Sequence, residues 1–314
     1  MNTQLLGLHH VTAIVNDPQE NVAFYAGVLG LRLIKRTVNF DDPYTYHLYY
    51  GDEVGSPGTI MTFFPWPDAP HGSRGTGQVS AMSFAVPTGS LTYWADRLDQ
   101  YGVRHSDPEE RFAQPLIAFY DPSGLLLELI ETPTVNDLPG WQGGPVPAQS
   151  AIRGFAGVTL DVANAAPSSR LLTEVLGFRE VAQHANRTRY AVGTGLFGAH
   201  VDLVERKGVP FGRIAAGSVH HVAWRVADDA AELEWQQWLR QAGVEVTEVR
   251  DRQYFHSIYF REPGGVLYEI ATDTPGFMID EPLETLGTTL QLPSWFEPMR
   301  PQIEQRLPAL DVSA

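Results

Sequence analysis

The stretch LHHVTAIV, Leu8–Val15, returns near the other end of the chain as VHHVAWRV, Val219–Val226. Each opens on adjacent histidines and runs on in alternating apolar residues, the pattern of a strand with buried faces. Setting Val15 against Val226 brings two further segments into line, QVSAMSFAV ending at Val86 and RGFAGVTLDV ending at Val162. The chain therefore carries four copies of one unit, a repeat that has to be settled before any fold is assigned.

Working outward, each copy continues through a capped helical stretch and ends in short strands. In DPQENVAFYAGVLGL, Asp17 can cap, Pro18 takes the first helical position and Gly30 closes the end. SLTYWADRLDQYGV, PSSRLLTEVLGF and AAELEWQQWLRQAGV repeat that spacing and end near Gly102, Gly177 and Gly243. Strand, tight Pro/Gly turn and strand follow in AFYDPSGLLLELIET (Ala118–Thr132) and IYFREPGGVLYEIAT (Ile258–Thr272), with looser versions in SPGTIMTFF and LFGAHVDLVE. The expected class is α+β, four βαβββ modules arranged as two tandem two-module domains that form curved mixed sheets. The boundaries read as an N-terminal domain over 1–137, a Pro/Gly-rich linker over 138–152, a C-terminal domain over 153–276 and a tail with a short helix over 277–314.

Composition limits what such a protein can do. At 314 residues, 43% apolar and 11% aromatic, the chain can bury a large core. Its formal charge of -15, from 37 acidic against 22 basic side chains, opposes binding to nucleic acid or an anionic membrane. There is no cysteine, so disulfides, thiolate sites and a cysteine nucleophile are excluded and a metal would rest on His, Asp or Glu. No basic leader before an apolar run and no spanning-length apolar stretch occurs, so a cytoplasmic protein is expected. A homo-oligomer is compatible with all of this.

Four strand-helix-strand-strand-strand units resemble the vicinal oxygen chelate superfamily, which includes glyoxalases and extradiol ring-cleaving dioxygenases, and the resemblance covers nearly the whole chain. It implies that units pair into cups of curved sheet. It also implies metal ligands at the histidine before the valine of the first strand, here His10 and His221, and at a glutamate four residues past the turn glycine, here Glu269. At the first-strand position the four copies read His10, Ala81, Gly157 and His221, and at the last-strand position Thr62, Glu128, Asp202 and Glu269. A cup of copies one and four then holds two histidines, a glutamate and a threonine. A cup of copies two and three holds two carboxylates without imidazole, a poor transition-metal site in which Glu128 reads as structural. Strand parity forbids both members of a histidine pair from facing one metal, and it sets Thr12 on the face of His10 as a candidate pocket residue.

Two imidazoles and a carboxylate describe the facial triad of Fe(II) oxygenases, although Mn or Zn would also suit the donors. Ligands divided between the first and fourth units resemble the hydroquinone ring-cleaving dioxygenases, as do DRQYFHSIYFREPGG (Asp251–Gly265) and the tail. That resemblance implies a small aromatic substrate and O2 as partners, with Arg252 and Tyr259 beside the substrate and His220 as a candidate acid/base. The alternatives are a metal-dependent glyoxalase-type isomerase or lyase, which would close its cup with a fourth ligand, and a non-catalytic protein that binds an aromatic compound or drug. His47, His71, His105, His184, His200 and His256 are expected in loops or at the surface.

Overall fold

A computed structural model describes residues 3–193 and 198–312. Leu196 and Phe197, the start of the third copy's last-strand stretch, lie outside the described residues. The first unit is built as β1 (Leu8–Val15), helix α1 (Pro18–Val22, continuing in a wider turn over Ala23–Val28), β2 (Arg32–Asn39), β3 (Asp42–Gly51) and β4 (Ile60–Pro65). Asp17 caps α1 by accepting from the Gln19 and Glu20 amides, and Gly30 ends it at a φ of +68°. The second unit runs β5 (Gln78–Val86), α2 (Leu91–Gln100), β6 (Glu109–Arg111), β7 (Gln114–Tyr120) and β8 (Leu126–Glu131). In the third come β9 (Gly154–Val162), α3 (Ala165–Arg170, extended over Leu171–Val175), β10 (Arg179–His184), β11 (Arg187–Ala191) and β12 (His200–Glu205). The fourth has β13 (Ser218–Val226), α4 (Asp229–Gln241), β14 (Arg250–Asp251), β15 (Phe255–Arg261) and β16 (Leu267–Pro275).

These strands form two eight-stranded mixed sheets. One has the order β14-β15-β16-β13-β1-β4-β3-β2 and the other β10-β11-β12-β9-β5-β8-β7-β6. Each sheet thus joins one unit from each half of the chain, the first with the fourth and the second with the third. The seam of the first sheet is the antiparallel pair β1/β13, with His10 opposite Ala223 and Thr12 opposite His221. The seam of the second, β5/β9, repeats it with Ala81 opposite Thr159 and Ser83 opposite Gly157. The two histidines are therefore diagonal neighbours across a pseudo-twofold axis.

The helices fill the space between the sheets and bind across it. Tyr25 of α1 donates to Asp121 beyond β7, and the Trp238 indole of α4 donates to the Val175 carbonyl of the third unit. Trp94, Trp224 and Trp235 are completely buried there, and each fully buried large side chain contributes about 1.5–3 kcal/mol by leaving water. Every residue of β1 is buried, because its outer face meets this core and its inner face lines a cup. The tail ends in helix α5 (Arg300–Arg306), and its Trp295 packs edge-on against Phe40 at a centroid distance of 5.6 Å. No described helix is long and apolar enough to cross a membrane.

Candidate metal centre

Strand pairing fixes the register of the repeat. Glu269 on β16 lies opposite Ala223, two residues beyond His221, and Thr62 on β4 lies opposite Thr12, two beyond His10. Glu128 opposite Ser83 and Asp202 opposite Thr159 complete the set. Within the first cup, one ligand atom from each of His10, His221 and Glu269 falls within 4.8 Å of the others, all three side chains being buried. His221 Nε2 is 3.0 Å and His10 Nε2 3.5 Å from Glu269 Oε2, and the two Nε2 atoms are 3.2 Å apart.

The outer histidine of the first pair sets the orientation of the inner one. His9 Nε2 lies 3.0 Å from the Thr272 carbonyl, which can only accept, so this nitrogen carries the proton. Burial, with His10 adding to it, keeps His9 well below the ordinary imidazole range, and its Nδ1 is therefore a bare acceptor. That atom is 2.9 Å from His10 Nδ1, which must donate. The network thus assigns His10 the tautomer whose bare Nε2 points at Glu269. A register shift between Leu8 and His10 swings His9 close enough for this bond despite the opposite facing of adjacent residues. His220 Nδ1 stands in the same way 2.7 Å from His221 Nδ1.

Burial alone would raise the Glu269 carboxyl, and positive charge at the His10 and His221 rings is what holds it well below the usual carboxylate range, a charge that the neutral tautomers leave to a cation. Both of its oxygens are buried and accept no hydrogen bond. An ionised carboxylate without a donor in a dry site is costly, and a divalent cation would supply the missing partner. The donors present fit a metal: two imidazoles, one carboxylate and one side left open to the cavity.

That cavity measures about 570 Å³ and has mixed walls, with Phe64, Trp66 and Phe255 among the apolar lining and His220, Arg252 and Tyr259 among the polar. Arg252 Nε and Ser257 Oγ each donate to the Tyr259 hydroxyl at 3.0 Å, which leaves the phenol proton free to point into the cavity. Burial and Glu269 keep Tyr259 above the ordinary phenol range, so it is a donor rather than a phenolate. Arg252 also reaches Asp41 at 3.2 Å, across the mouth. Burial, then the neighbouring His221, bring His220 down to about 3, which keeps it neutral beside the cavity.

Other expected positions differ. Thr12 is fully buried behind the cavity wall, its hydroxyl 2.9 Å from that of Thr62, and it is not among the lining residues. His47, expected at the surface, is a buried cavity residue on β3, its Nε2 2.8 Å from Thr62 Oγ1 and its Nδ1 2.8 Å from the Tyr49 hydroxyl. Burial pushes His47 well below the ordinary imidazole range. Carrying the repeat alignment into the third strand would have found this pair, since Tyr49 faces Thr62 as Tyr259 faces Glu269. His200 and His256 also lie in strands rather than loops, in β12 and β15, with His256 Nδ1 2.7 Å from Asp229.

In the second cup, which holds a cavity of about 650 Å³, both carboxylates are taken by arginines. Arg111 makes two 2.8 Å bonds to Glu128, which also accepts from Ser83 at 2.7 Å. Arg189 and Arg187 bind Asp202 at 2.7 and 2.9 Å. Gly157 cannot be a histidine here, because a Cβ would sit 2.3 Å from the His200 carbonyl oxygen.

Residues 7–129 and 154–270 match the model of the Glyoxalase/Bleomycin resistance protein/Dioxygenase superfamily. MhqO of Bacillus subtilis (strain 168), provisionally named a ring-cleaving dioxygenase, is 48% identical over 314 residues, covering 99% of each chain. The chlorohydroquinone/hydroquinone 1,2-dioxygenase of Sphingobium indicum is 35% identical over 309 residues, 95% of this chain and 94% of its own. A crystal structure from Bacillus subtilis subsp. subtilis str. 168, provisionally described as a dioxygenase, superimposes with a TM-score of 0.94 at 47% identity over 99% of each chain.

Proposed function

The chain belongs to the glyoxalase/bleomycin resistance protein/dioxygenase superfamily, and from that premise we propose that it is an Fe(II)-dependent ring-cleaving dioxygenase of the extradiol type, acting on hydroquinone-like aromatics with O2. The observation that carries the reading is the buried His10, His221 and Glu269 face, open on one side to an aromatic-lined cavity. Iron held there would supply the electron exchange between an ionised ring hydroxyl and dioxygen that neither reactant achieves alone.

The remaining work falls to the chain's own side chains. Phe64, Trp66 and Phe255 hold the ring and exclude water. Arg252 is always cationic and stabilises negative charge on substrate or oxygen, while Tyr259, polarised by Arg252 and Ser257, donates its free proton to a developing oxyanion. His220 accepts from His221 Nδ1–H and so turns an Nε2–H toward the reactants, a position from which it can move a proton. In a para-diol only one oxygen can reach the metal face, and the bond cleaved lies between a hydroxyl-bearing carbon and its unsubstituted or halogenated neighbour.

A glyoxalase-type isomerase is disfavoured at Thr62, the position a fourth ligand would take, whose hydroxyl is engaged by Thr12 and His47. A purely binding protein would have no use for the unpartnered Glu269. The test is anaerobic purification, Fe(II) loading, and oxygen uptake with a panel of hydroquinones and catechols. We expect stoichiometric dioxygen consumption with hydroquinone and far slower turnover of catechol. Equal or better specificity for catechol removes the substrate assignment, and isomerisation without oxygen uptake removes the reaction.

A further inference from the structure

Arg252 is carried by a turn that its own backbone does not favour. Gln253 holds a φ of +64°, a left-handed conformation that strains a residue bearing a Cβ and persists only where surrounding structure imposes it. Locally the turn is closed by Arg252 N donating to the Phe255 carbonyl (2.9 Å) and Tyr254 N to the Arg252 carbonyl (2.7 Å). Gly276 N donates to the Tyr254 carbonyl at 2.9 Å, and the side-chain hold on the turn comes from the tail. Asp280 Oδ2 accepts from Gln253 Nε2 at 2.8 Å and from the Tyr254 hydroxyl at 2.9 Å.

The other oxygen of Asp280 accepts from Lys35 Nζ at 2.6 Å. Lys35 belongs to β2 of the first unit, is fully buried, donates also to Glu281 at 2.5 Å, and lies 5.1 Å from the centre of the Tyr254 ring. A buried lysine is a poor choice for stability, since an apolar side chain of its size would fill the same space without desolvating a charge. What the lysine does provide is direction. It fixes one carboxylate oxygen so that the other faces the two donors flanking the strained residue. One side chain of the tail thereby joins the first unit to the turn that aims Arg252 at Tyr259.

We propose that Asp280, locked by Lys35, is a positioning residue for Arg252, so that the C-terminal tail takes part in building the active site. The inference rests on the role of Arg252 given under the proposed function. Asp280→Asn tests it, because Lys35 keeps Glu281 while an amide whose oxygen stays on the lysine turns an N–H toward Gln253 and Tyr254 in place of their charged acceptor. In the metal-loaded chain, hydrogen exchange at the Arg252 and Tyr254 amides should rise about tenfold or more, with β1 and β13 unchanged. Unchanged exchange at the turn overturns the clamp. Tyr254→Phe removes one donor without touching the ion pair and should raise exchange at the same amides by less. It carries the test if Asp280→Asn folds poorly.

A double-mutant cycle then reads the consequence. Asp280→Asn should lower kcat for hydroquinone about tenfold in the native background and leave it unaltered in Arg252→Ala, with metal content the same in all four proteins. An equal drop in both backgrounds overturns action through Arg252. If the native chain takes up no oxygen with any hydroquinone, the dioxygenase reading fails instead, and exchange alone decides the clamp.

Discussion

At the scale of single residues, the repeated histidine pair is explained by division of labour. His10 and His221 present nitrogen to the centre of the cup, His9 holds His10 from behind, and His220 holds His221 from the cavity wall. His9→Phe keeps bulk and removes both hydrogen bonds, so metal affinity should fall roughly ten- to a hundredfold, measured by competition with a chelating dye. Glu269→Ala should abolish tight loading, whereas Glu128→Ala should leave it intact because its carboxylate serves Arg111. Full occupancy in the Glu269 variant would sink the site. Arg252→Ala and Tyr259→Phe should retain metal and lose roughly tenfold or more in turnover, since a lost oxyanion donor costs about 3 kcal/mol. Unchanged kinetics in both would reduce them to scaffold. His10, His221 and Glu269 were legible because four copies of one unit allow comparison at a fixed position without any other sequence. His47 was not, because the equivalent positions in the other copies are Leu116, Arg187 and Ser257, and its partner Thr62 becomes a neighbour only once β3 and β4 have paired.

At the scale of elements, the parallel pairs keep one register in both cups, so the residue types at the equivalent positions decide which cup can hold a metal. Each last-strand site faces the residue two beyond the first-strand site, so the alternation read from the sequence survives intact into the sheets. The second cup illustrates what alternation cannot reveal. Its cationic charge comes from Arg111, Arg187 and Arg189, on strands whose sequences carry no sign of where long side chains will end. Its third unit has room for no side chain at all at position 157, where β9 and β12 approach most closely. Gly157→Ala should therefore destabilise the chain by about 1–3 kcal/mol through overpacking, read as a lower urea midpoint, while metal affinity stays unchanged. A neutral outcome would mean that the β9/β12 pair has more freedom than its geometry indicates.

At the scale of the whole molecule, each sheet is assembled from both halves of the chain, which is why the choice between cups could be argued from where the histidines lie, while the tail's reach to Lys35 and Gln253 has no counterpart in the repeat and could not be. The same architecture buries imidazoles in numbers that make stability depend on acid. His9, His47 and His221 are held below their ordinary range by burial, as are His200, at about 4, and His220, at about 3. For each, the unfolded chain takes up a proton at a higher pH, near 6.5, than the folded one does. Their contribution to stability is thus fully present above about pH 6.5 and is lost as pH falls toward the folded values. Three groups act in the opposite sense, Asp121 raised to about 6 and Glu232 to about 7, both by burial, and His256 raised by its bond to Asp229, and they favour the folded state as pH falls. Five imidazoles outweigh the three opposing groups, so the metal-free chain should show a lower urea midpoint at pH 5 than at pH 7. The metal-loaded chain should lose more over the same interval, because protons also compete for His10 and His221 and release the ion whose binding stabilises the fold. A midpoint equal or higher at pH 5 in the metal-free chain would mean that Asp121, Glu232 and His256 dominate, and that the buried imidazoles are protonated without cost.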